Sequence, residues 1–277
     1  MQPIKATTFE GQIEERSDCL APLYRLRCSN GSAMERPSID TGRTGSTRTQ
    51  FSPSISMCTR YIAPDAAAIE RYWQVGARHP WRGAEVFPRA QGVFIRPARE
   101  LTEARREQVV GQWGLIPGFA KTAKLSYSTY NARFEELAQK ASYKDSWAKG
   151  RRCLIPALSF DEPNWETGRS VWWRFRRADG GPWGLAGLWN TWVDRATGEV
   201  VESYTMLTLN ADACPLMSRM HKPDPKLPAD RQDKRSVVPI EAEDVDQWLF
   251  GTPRDAAALV RLAPAERFDA RPAASDA

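Results

Sequence analysis

Short runs of β-branched and aromatic residues, separated by Pro, Gly or polar turn residues, recur along the chain after residue 90. Runs of this length and composition are typical of strands. The predicted strands cover residues 93–96, 109–113, 152–158, 171–176, 183–189 and 204–209. Strands are therefore expected to form most of the core.

Apolar positions with a helical period are fewer. The first predicted helix covers residues 65–74 with Asp65 as its N-cap, and a second begins near Asn131, which would be its N-cap. The last two predicted helices cover residues 242–249 and 254–262. Because strands outnumber helices and are often joined by turn-sized gaps, the sequence favours an α+β fold with a mainly antiparallel, barrel-like β core and flanking helices.

The first 56 residues differ in composition from the rest. Residues 29–56 are mostly Ser, Thr, Gly and Pro with scattered Arg, so they bury too little apolar surface to offset the entropy of ordering. We expect residues 1–56 to be a disordered extension that reflects a mis-assigned start or a removable leader; the alternative is a genuine flexible tail. Residues 57–262 are predicted to form a single domain, and residues 263–277 a flexible C-terminal tail.

Net charge and cysteine content exclude a few classes of protein but do not identify one. The 39 Lys and Arg against 34 Asp and Glu leave a net charge of +5, which permits an anionic partner without requiring one. The five cysteines show no CxxC or CxxH spacing, and one would be left over from any pairing, which favours a reducing compartment and argues against a structural zinc. No apolar run reaches the length of a membrane span, so a cytoplasmic protein without membrane contact is expected.

Cys58 directly follows an internal methionine, Met57. If the biological chain starts at Met57 and that residue is removed, Cys58 carries both a free α-amine and a thiol. The amine can form a Schiff base with an aldehyde, and the thiol can close on it to give a five-membered thiazolidine. The alternative is that Cys58 is an ordinary small apolar residue at the start of a strand.

Six short blocks occur in an order that resembles one protein family. They are MCTRY at 57–61, QWGLIP at 112–117, NAR at 131–133, RCLIPA at 152–157, FDE at 160–162 and GLAGLW at 184–189. This series resembles the SOS response-associated peptidase (SRAP) family, the abasic-site-binding proteins. The resemblance runs from Met57 to about residue 239 and leaves residues 1–56 out.

The resemblance implies a function in the DNA damage response. Family members bind single-stranded DNA and form a covalent thiazolidine between an N-terminal cysteine and the ring-opened aldehyde of an abasic site. Cys58 would be this nucleophile, Glu162 the acid/base that assists ring opening and Schiff-base formation, and Asn131 the residue that holds the cysteine and its amine. The expected partner is single-stranded DNA with abasic sites, bound by a monomer that associates with the nucleoid. Protein and substrate supply every reacting group, so no metal or organic cofactor is expected.

The resemblance also implies which residues contact DNA. Arg60 and Arg133 would bind phosphate, for which a planar guanidinium is well suited. Trp113 and Pro88 would stack on bases beside the lesion. From the residues alone, Arg133 would be a solvated residue of a first helical turn, Trp113 a core residue, and Glu162 a surface residue in a loop.

The histidine departs from the family pattern. Family members carry an active-site histidine two positions before an Arg-Met-Pro, and in this alignment Met217 occupies that position. The chain has only two histidines, His79 and His221. A local shift would bring the imidazole of His221 into the same pocket; otherwise His221 would be a loop residue that contacts DNA or nothing.

Two other functions stay open from sequence. Cys58, His221 and Glu162 would also suit a cysteine peptidase that removes its own leader, which is consistent with the family's name. A non-catalytic, salt-sensitive binder of single-stranded DNA is expected if the mature chain starts at Met1, because Cys58 then has no free amine.

Overall fold

The computed structural model describes residues 58–76, 79–99 and 105–273, so the predicted extension at residues 1–56 lies outside the described residues. The strands are β1 (Tyr61–Ala63), β2 (Ala84–Val86), β3 (Gln91–Pro97), β4 (Arg106–Trp113), β5 (Asn131–Arg133), β6 (Arg152–Ala157), β7 (Ser159–Asn164), β8 (Val171–Arg177), β9 (Trp183–Val193), β10 (Val200–Asn210), β11 (Arg235–Val237) and β12 (Phe268–Pro272). The helices are α1 (Ala66–Trp73), α2 (Lys144–Ala148), α3 (Val245–Phe250) and α4 (Pro253–Ala258).

Within the described part of the chain, five strands close into a barrel. Their order is β10-β4-β3-β6-β9, and β9 pairs with β10 to complete the ring. Neighbours in the ring are antiparallel except β10 and β4, which are parallel. A closed ring has no free strand edge along which sheets aggregate. The barrel-like α+β fold predicted from the sequence is confirmed.

A second sheet, in the order β12-β8-β7-β1-β2, positions the residues around Cys58. Strands β1 and β7 are antiparallel, with Tyr61 opposite Phe160. When this register is continued by two residues along each strand, the residue after Cys58 comes to lie beside Glu162. Strand pairing thus brings together two residues that are far apart in the sequence.

Aromatic side chains fill the core beneath this sheet. The rings of Phe160 and Phe175 stack with centroids 5.1 Å apart, and those of Trp183 and Phe268 are also 5.1 Å apart. Phe268 belongs to β12, which pairs with β8. The prediction of a flexible tail from residue 263 is therefore wrong as far as residue 273, because burial of an aromatic side chain and a strand pairing order this segment.

Two further local predictions are wrong, and both concern strands at the site. Asn131 starts β5 instead of a helix, and it lies opposite Met206 of β10 in a parallel pairing. Glu162 lies in β7 instead of a surface loop, and it is 2% exposed. Strand β5 has only 3 residues, and the sequence of β7, SFDEPN, is mostly polar without the apolar run of a strand, so neither is evident from the sequence.

Among the predicted helices, the first agrees best with the structure, in which α1 covers Ala66–Trp73. The side chain of Asp65 accepts a hydrogen bond from Ala68 N at 2.7 Å, which confirms the predicted N-cap of α1. The last two helices are present but shorter than predicted, since α3 and α4 each have 6 residues.

Candidate active site

Cys58 lies just before β1 and is 1% exposed. Its Sγ donates to Arg60 O at 3.7 Å. Burial raises the pKa of the Cys58 thiol well above its ordinary value, and the negative charge of Glu162 raises it further. The Glu162 carboxylate therefore lies close enough to the thiol for its charge to affect the pKa of the thiol, as the register of β1 and β7 indicates.

Glu162 and His221 form a buried hydrogen-bonded pair. His221 Nε2 and Glu162 Oε2 are 2.8 Å apart, and the two side chains are 1% and 2% exposed. His221 Nδ1 is also buried and has no hydrogen-bond partner among the described residues. One ring nitrogen of the imidazole is thus hydrogen-bonded to the carboxylate, and the other is buried without a hydrogen-bond partner in the described part of the chain.

Backbone pairing holds His221 next to β7. His221 N donates to Pro163 O at 2.6 Å, and Asn164 forms a β-bridge with Met220. Met217, which the alignment put in the histidine's place, is a fully buried apolar residue. The imidazole that contacts Glu162 belongs to His221, four positions later in the chain.

Asn131 connects β5 to the cysteine. Its Nδ2 donates to Cys58 O at 3.0 Å, and Tyr143 Oη donates to Asn131 O at 3.1 Å. Asn131 Oδ1 is buried and has no hydrogen-bond partner among the described residues. A buried acceptor beside Cys58 is suited to a donor such as an amine.

Arg60 takes part in a cluster of charges. Its guanidinium lies 3.3 Å from Asp161 and also pairs with Glu85. Asp161 is 1% exposed and accepts two hydrogen bonds from Arg174, at 2.9 and 3.0 Å. Any contact of Arg60 with DNA phosphate would therefore compete with two carboxylates.

Arg133 is more accessible, with 41% of its side chain exposed. It pairs with Asp233 at 2.6 Å and with Glu136 at 3.4 Å. The residue expected to bind phosphate is thus held by carboxylates that a phosphate would have to displace.

Two open clefts of about 440 and 590 Å³ share Tyr127, Ser128 and Tyr130 in their walls. The first is also lined by Pro88 and the second by Asn131. Asn131, which holds Cys58, therefore connects the second cleft to the buried cysteine.

Sequence reasoning missed three residues of these clefts. Phe119 and Tyr127 expose 62% and 42% of their surface, and Arg89 reaches across the first cleft to donate to Leu125 O at 3.0 Å. The sequence alone contains no signal for these three residues, because neither their exposure nor their position in a cleft can be read from local sequence.

The base-stacking role expected for Trp113 does not fit its position. Trp113 is fully buried, its ring packs edge-on against Tyr61 and Tyr130, and its Nε1 donates to Tyr130 O at 2.8 Å. A base cannot stack on a ring that has no exposed face. Trp113 is a core residue, and we leave it out of the DNA-contacting set. Pro88 is partly exposed in the first cleft and stays in that set.

No helix of the described residues is long and apolar enough to cross a membrane. Within the same residues, no group of three or more His, Cys, Asp or Glu side chains is placed to hold a metal ion.

The barrel and the second sheet define an α+β protein in which a buried cysteine, a buried carboxylate–imidazole pair and an amide side chain lie beside a cleft with aromatic walls. The chain belongs to the SOS response associated peptidase (SRAP) family, whose model matches residues 57–276. This match confirms the family inferred from the six sequence blocks.

Named relatives are similar over part of their length. The abasic site processing protein HMCES of Xenopus tropicalis is 27% identical over 197 residues, which cover 63% of this chain and 54% of the relative. The abasic site processing protein YobE of Bacillus subtilis is 31% identical over 129 residues, 46% of this chain and 57% of the relative. The chain thus spans about half the length of the curated relatives it matches.

Solved structures resemble the chain over most of its length. A crystal structure from Bordetella bronchiseptica is 35% identical with a TM-score of 0.67, and the match covers 78% of this chain and 99% of that one. A crystal structure from Bacteroides thetaiotaomicron is 20% identical with a TM-score of 0.60, and it covers 79% of this chain and 93% of that one. The second similarity concerns the fold alone.

Proposed function

We propose that this protein captures abasic sites in single-stranded DNA as covalent crosslinks through Cys58. The observation that carries the proposal is the convergence of Cys58, Asn131, Glu162 and His221 in one set of contacts. The relatives named abasic site processing proteins support the same substrate. Processing of abasic sites in DNA damage is the broad function, and covalent capture is the specific reaction.

The reaction requires Cys58 to be the first residue of the mature chain. Its α-amine adds to the aldehyde carbon of the ring-opened sugar, and loss of water gives a Schiff base. The thiol then adds to the imine carbon while a proton moves to the nitrogen, which closes the thiazolidine ring. Amine, thiol and aldehyde combine with release of one water, so the step needs no oxidant or reductant.

The burial of Cys58 supports attack by the amine first. Burial favours the protonated form of the thiol, whereas an α-amine titrates at about 7.7–8.0 and is partly neutral near neutral pH. The amine is therefore the better first nucleophile. The protonated thiol can then supply the proton that the nitrogen takes up when the ring closes.

Glu162 and His221 are proposed to move protons to and from the sugar. Opening of the cyclic sugar transfers a proton from the anomeric hydroxyl to the ring oxygen, and Schiff-base formation needs an acid to expel water. The 2.8 Å hydrogen bond allows Glu162 to exchange a proton with His221. Positioned acid/base groups of this kind typically contribute about 10²- to 10⁴-fold to a rate.

The two clefts suit a single strand of DNA. Tyr127 and Phe119 present exposed rings on which bases can stack, with typical gains of about 1–3 kcal/mol per base. Arg89, Arg133 and Lys140 supply positive charge along the same walls. Arg60 lines neither cleft and stays a proposed phosphate contact because it lies two residues after Cys58.

The family's name raises a second function, a cysteine peptidase that uses Cys58, His221 and Glu162. Such an enzyme needs a thiolate activated by an adjacent imidazole or cation. Here burial and a neighbouring carboxylate raise the pKa of the thiol, and His221 Nε2 is bonded to that carboxylate. This arrangement favours aldehyde capture over peptide hydrolysis.

The test uses protein with a verified N-terminal Cys58 and an oligonucleotide that carries one abasic site. We expect an adduct that survives denaturation without reduction. Cys58→Ala should lose this adduct, while borohydride should still trap the Schiff base of its own N-terminal amine. Adduct formation by Cys58→Ala equal to that of the unmodified protein would contradict the proposal. Salt-sensitive binding without any adduct would instead indicate a reversible DNA binder.

A further inference from the structure

A loop of residues 222–233 leaves the body of the protein directly after His221 and returns at Lys234. Lys234 links the two ends of this loop, because its Nζ donates to Met220 O at 2.5 Å and to His221 O at 2.7 Å. Lys234 is 6% exposed and is the one buried lysine among the described residues. Lysine is seldom buried unless its ammonium group has partners, so these two bonds account for its position.

We propose that Lys234 is a positioning residue, which holds the backbone of His221 so that its imidazole faces Glu162. The inference deepens the function proposed above and rests on it, because the Glu162–His221 pair matters for the reaction only if that function is right. Nothing in the proposal requires Lys234 to touch the substrate.

The backbone of His221 needs such support. Its φ is 61°, in the left-handed region that residues other than glycine seldom adopt. Three contacts hold it there: His221 N donates to Pro163 O, His221 O accepts from Lys234, and the imidazole bonds to Glu162. Loss of the Lys234 contact would allow the backbone to relax and would turn the imidazole away from the carboxylate.

The other end of Lys234 is fixed to the barrel. Lys234 N donates to Asp212 Oδ1 at 2.8 Å, and Ala211 N donates to Lys234 O at 2.7 Å. Lys234 directly precedes β11, which pairs with β10. The Lys234 side chain therefore connects the segment next to the barrel to His221. The position of His221 is thus fixed without the loop of residues 222–233.

The full chain offers a direct spectroscopic test because it has only two histidines. In a ¹H–¹³C spectrum of histidine-labelled protein, His79→Gln assigns the two imidazole signals. We expect Lys234→Met to shift or broaden the His221 signal and to leave the His79 signal unchanged. Lys222→Met is the matched control, because it removes the same charge from the exposed residue next to His221.

Kinetics give the functional readout. With saturating abasic-site DNA, we expect Lys234→Met to slow crosslinking about 10- to 100-fold, as misplacement of a catalytic group by about 1 Å commonly does. The dissociation constant for the oligonucleotide should change less than twofold. If the unmodified protein forms no crosslink, the proposed function fails, but the His221 signal still tests the positioning.

Two results would overturn the inference: an unchanged His221 signal in folded Lys234→Met, or an equal change in Lys222→Met. If Lys234→Met does not fold, the unmodified chain is measured after ¹⁵N labelling of its lysines. One Nζ signal protected from exchange with water is expected, because Lys234 is buried and donates two hydrogen bonds. Absence of a protected Nζ signal would contradict the structure on which the inference depends.

Discussion

At the scale of single residues, the proposed chemistry depends on polar groups that the fold keeps out of water. Glu162 and His221 are almost fully buried, so each is satisfied mainly by the other. In such surroundings an unsatisfied polar group costs more free energy than it does at the surface. Small chemical changes at this pair should therefore have large effects on the reaction.

Replacement of Glu162 by Gln should lower the rate of crosslinking by about 10²-fold, because the amide keeps the shape and can accept from His221 but cannot exchange a proton. The rate of adduct formation on denaturing gels measures this effect. Glu166→Gln is the matched control, since it removes an exposed carboxylate four residues later in the same segment. A rate for Glu162→Gln within threefold of the unmodified protein would rule out the acid/base role.

The raised pKa of the Cys58 thiol predicts a distinctive pH dependence. Alkylation proceeds through the thiolate, so its rate should rise about tenfold per pH unit up to at least pH 9, without a plateau near neutrality. Mass spectrometry of the peptide that contains Cys58, after timed labelling with iodoacetamide, measures this rate; a short synthetic peptide with the same sequence provides the reference. A plateau near pH 7 would indicate a thiolate of the peptidase type.

At the scale of elements, the sequence predicts long strands better than short ones. The strands β3, β4, β6, β8, β9 and β10 are evident in the sequence because each contains a run of β-branched, aromatic or other apolar residues bounded by turn residues. Strand β5 forms by pairing with β10, and β7 pairs with β1. Such pairings between distant segments cannot be read from a local sequence pattern. Cys58 is a candidate from its position after Met57, and Asn131 and Glu162 are candidates through the family resemblance. Arg89, Phe119 and Tyr127 were missed because cleft walls are assembled from separate loops.

Gly92 in β3 should be essential for the barrel. A Cβ there would overlap the hydroxyl of Tyr204 and lie 2.6 Å from that of Tyr61, and these two hydroxyls are hydrogen-bonded to each other. We expect Gly92→Ala to lower the free energy of unfolding by about 2–3 kcal/mol, as overpacking of a core does. Urea denaturation measures this change. Gly118→Ala, where no atom lies within 4 Å of the new Cβ, should change the stability little.

The ion pair between Arg133 of β5 and Asp233 should weaken DNA binding. Asp233→Asn removes a carboxylate that competes with phosphate, so non-covalent affinity should rise about two- to tenfold. Fluorescence anisotropy in the Cys58→Ala background measures this affinity. Asp230→Asn makes the same change in charge at an exposed position of the same loop. Equal gains for both variants would attribute the effect to net charge and not to release of Arg133.

At the scale of the whole molecule, the barrel and the second sheet have distinct contributions. The barrel supports Asn131 through the pairing of β5 with β10, and it supports Lys234 through the hydrogen bonds with Ala211 and Asp212. The second sheet brings Cys58 to Glu162 through the pairing of β1 with β7. The proposed reaction also requires a covalent feature that these contacts do not provide, a free α-amine on Cys58.

The most direct measurement is therefore intact mass and N-terminal sequencing of the protein before and after incubation with single-stranded DNA that contains one abasic site. Two preparations are compared: the 277-residue chain and a form whose first residue is Cys58. We expect the form that starts at Cys58 to gain the mass of the oligonucleotide less one water. The 277-residue chain should gain it only where cleavage has exposed Cys58. An adduct on a chain whose Met57–Cys58 bond is intact, or no adduct on the form that starts at Cys58, would contradict capture by the amine and thiol of Cys58.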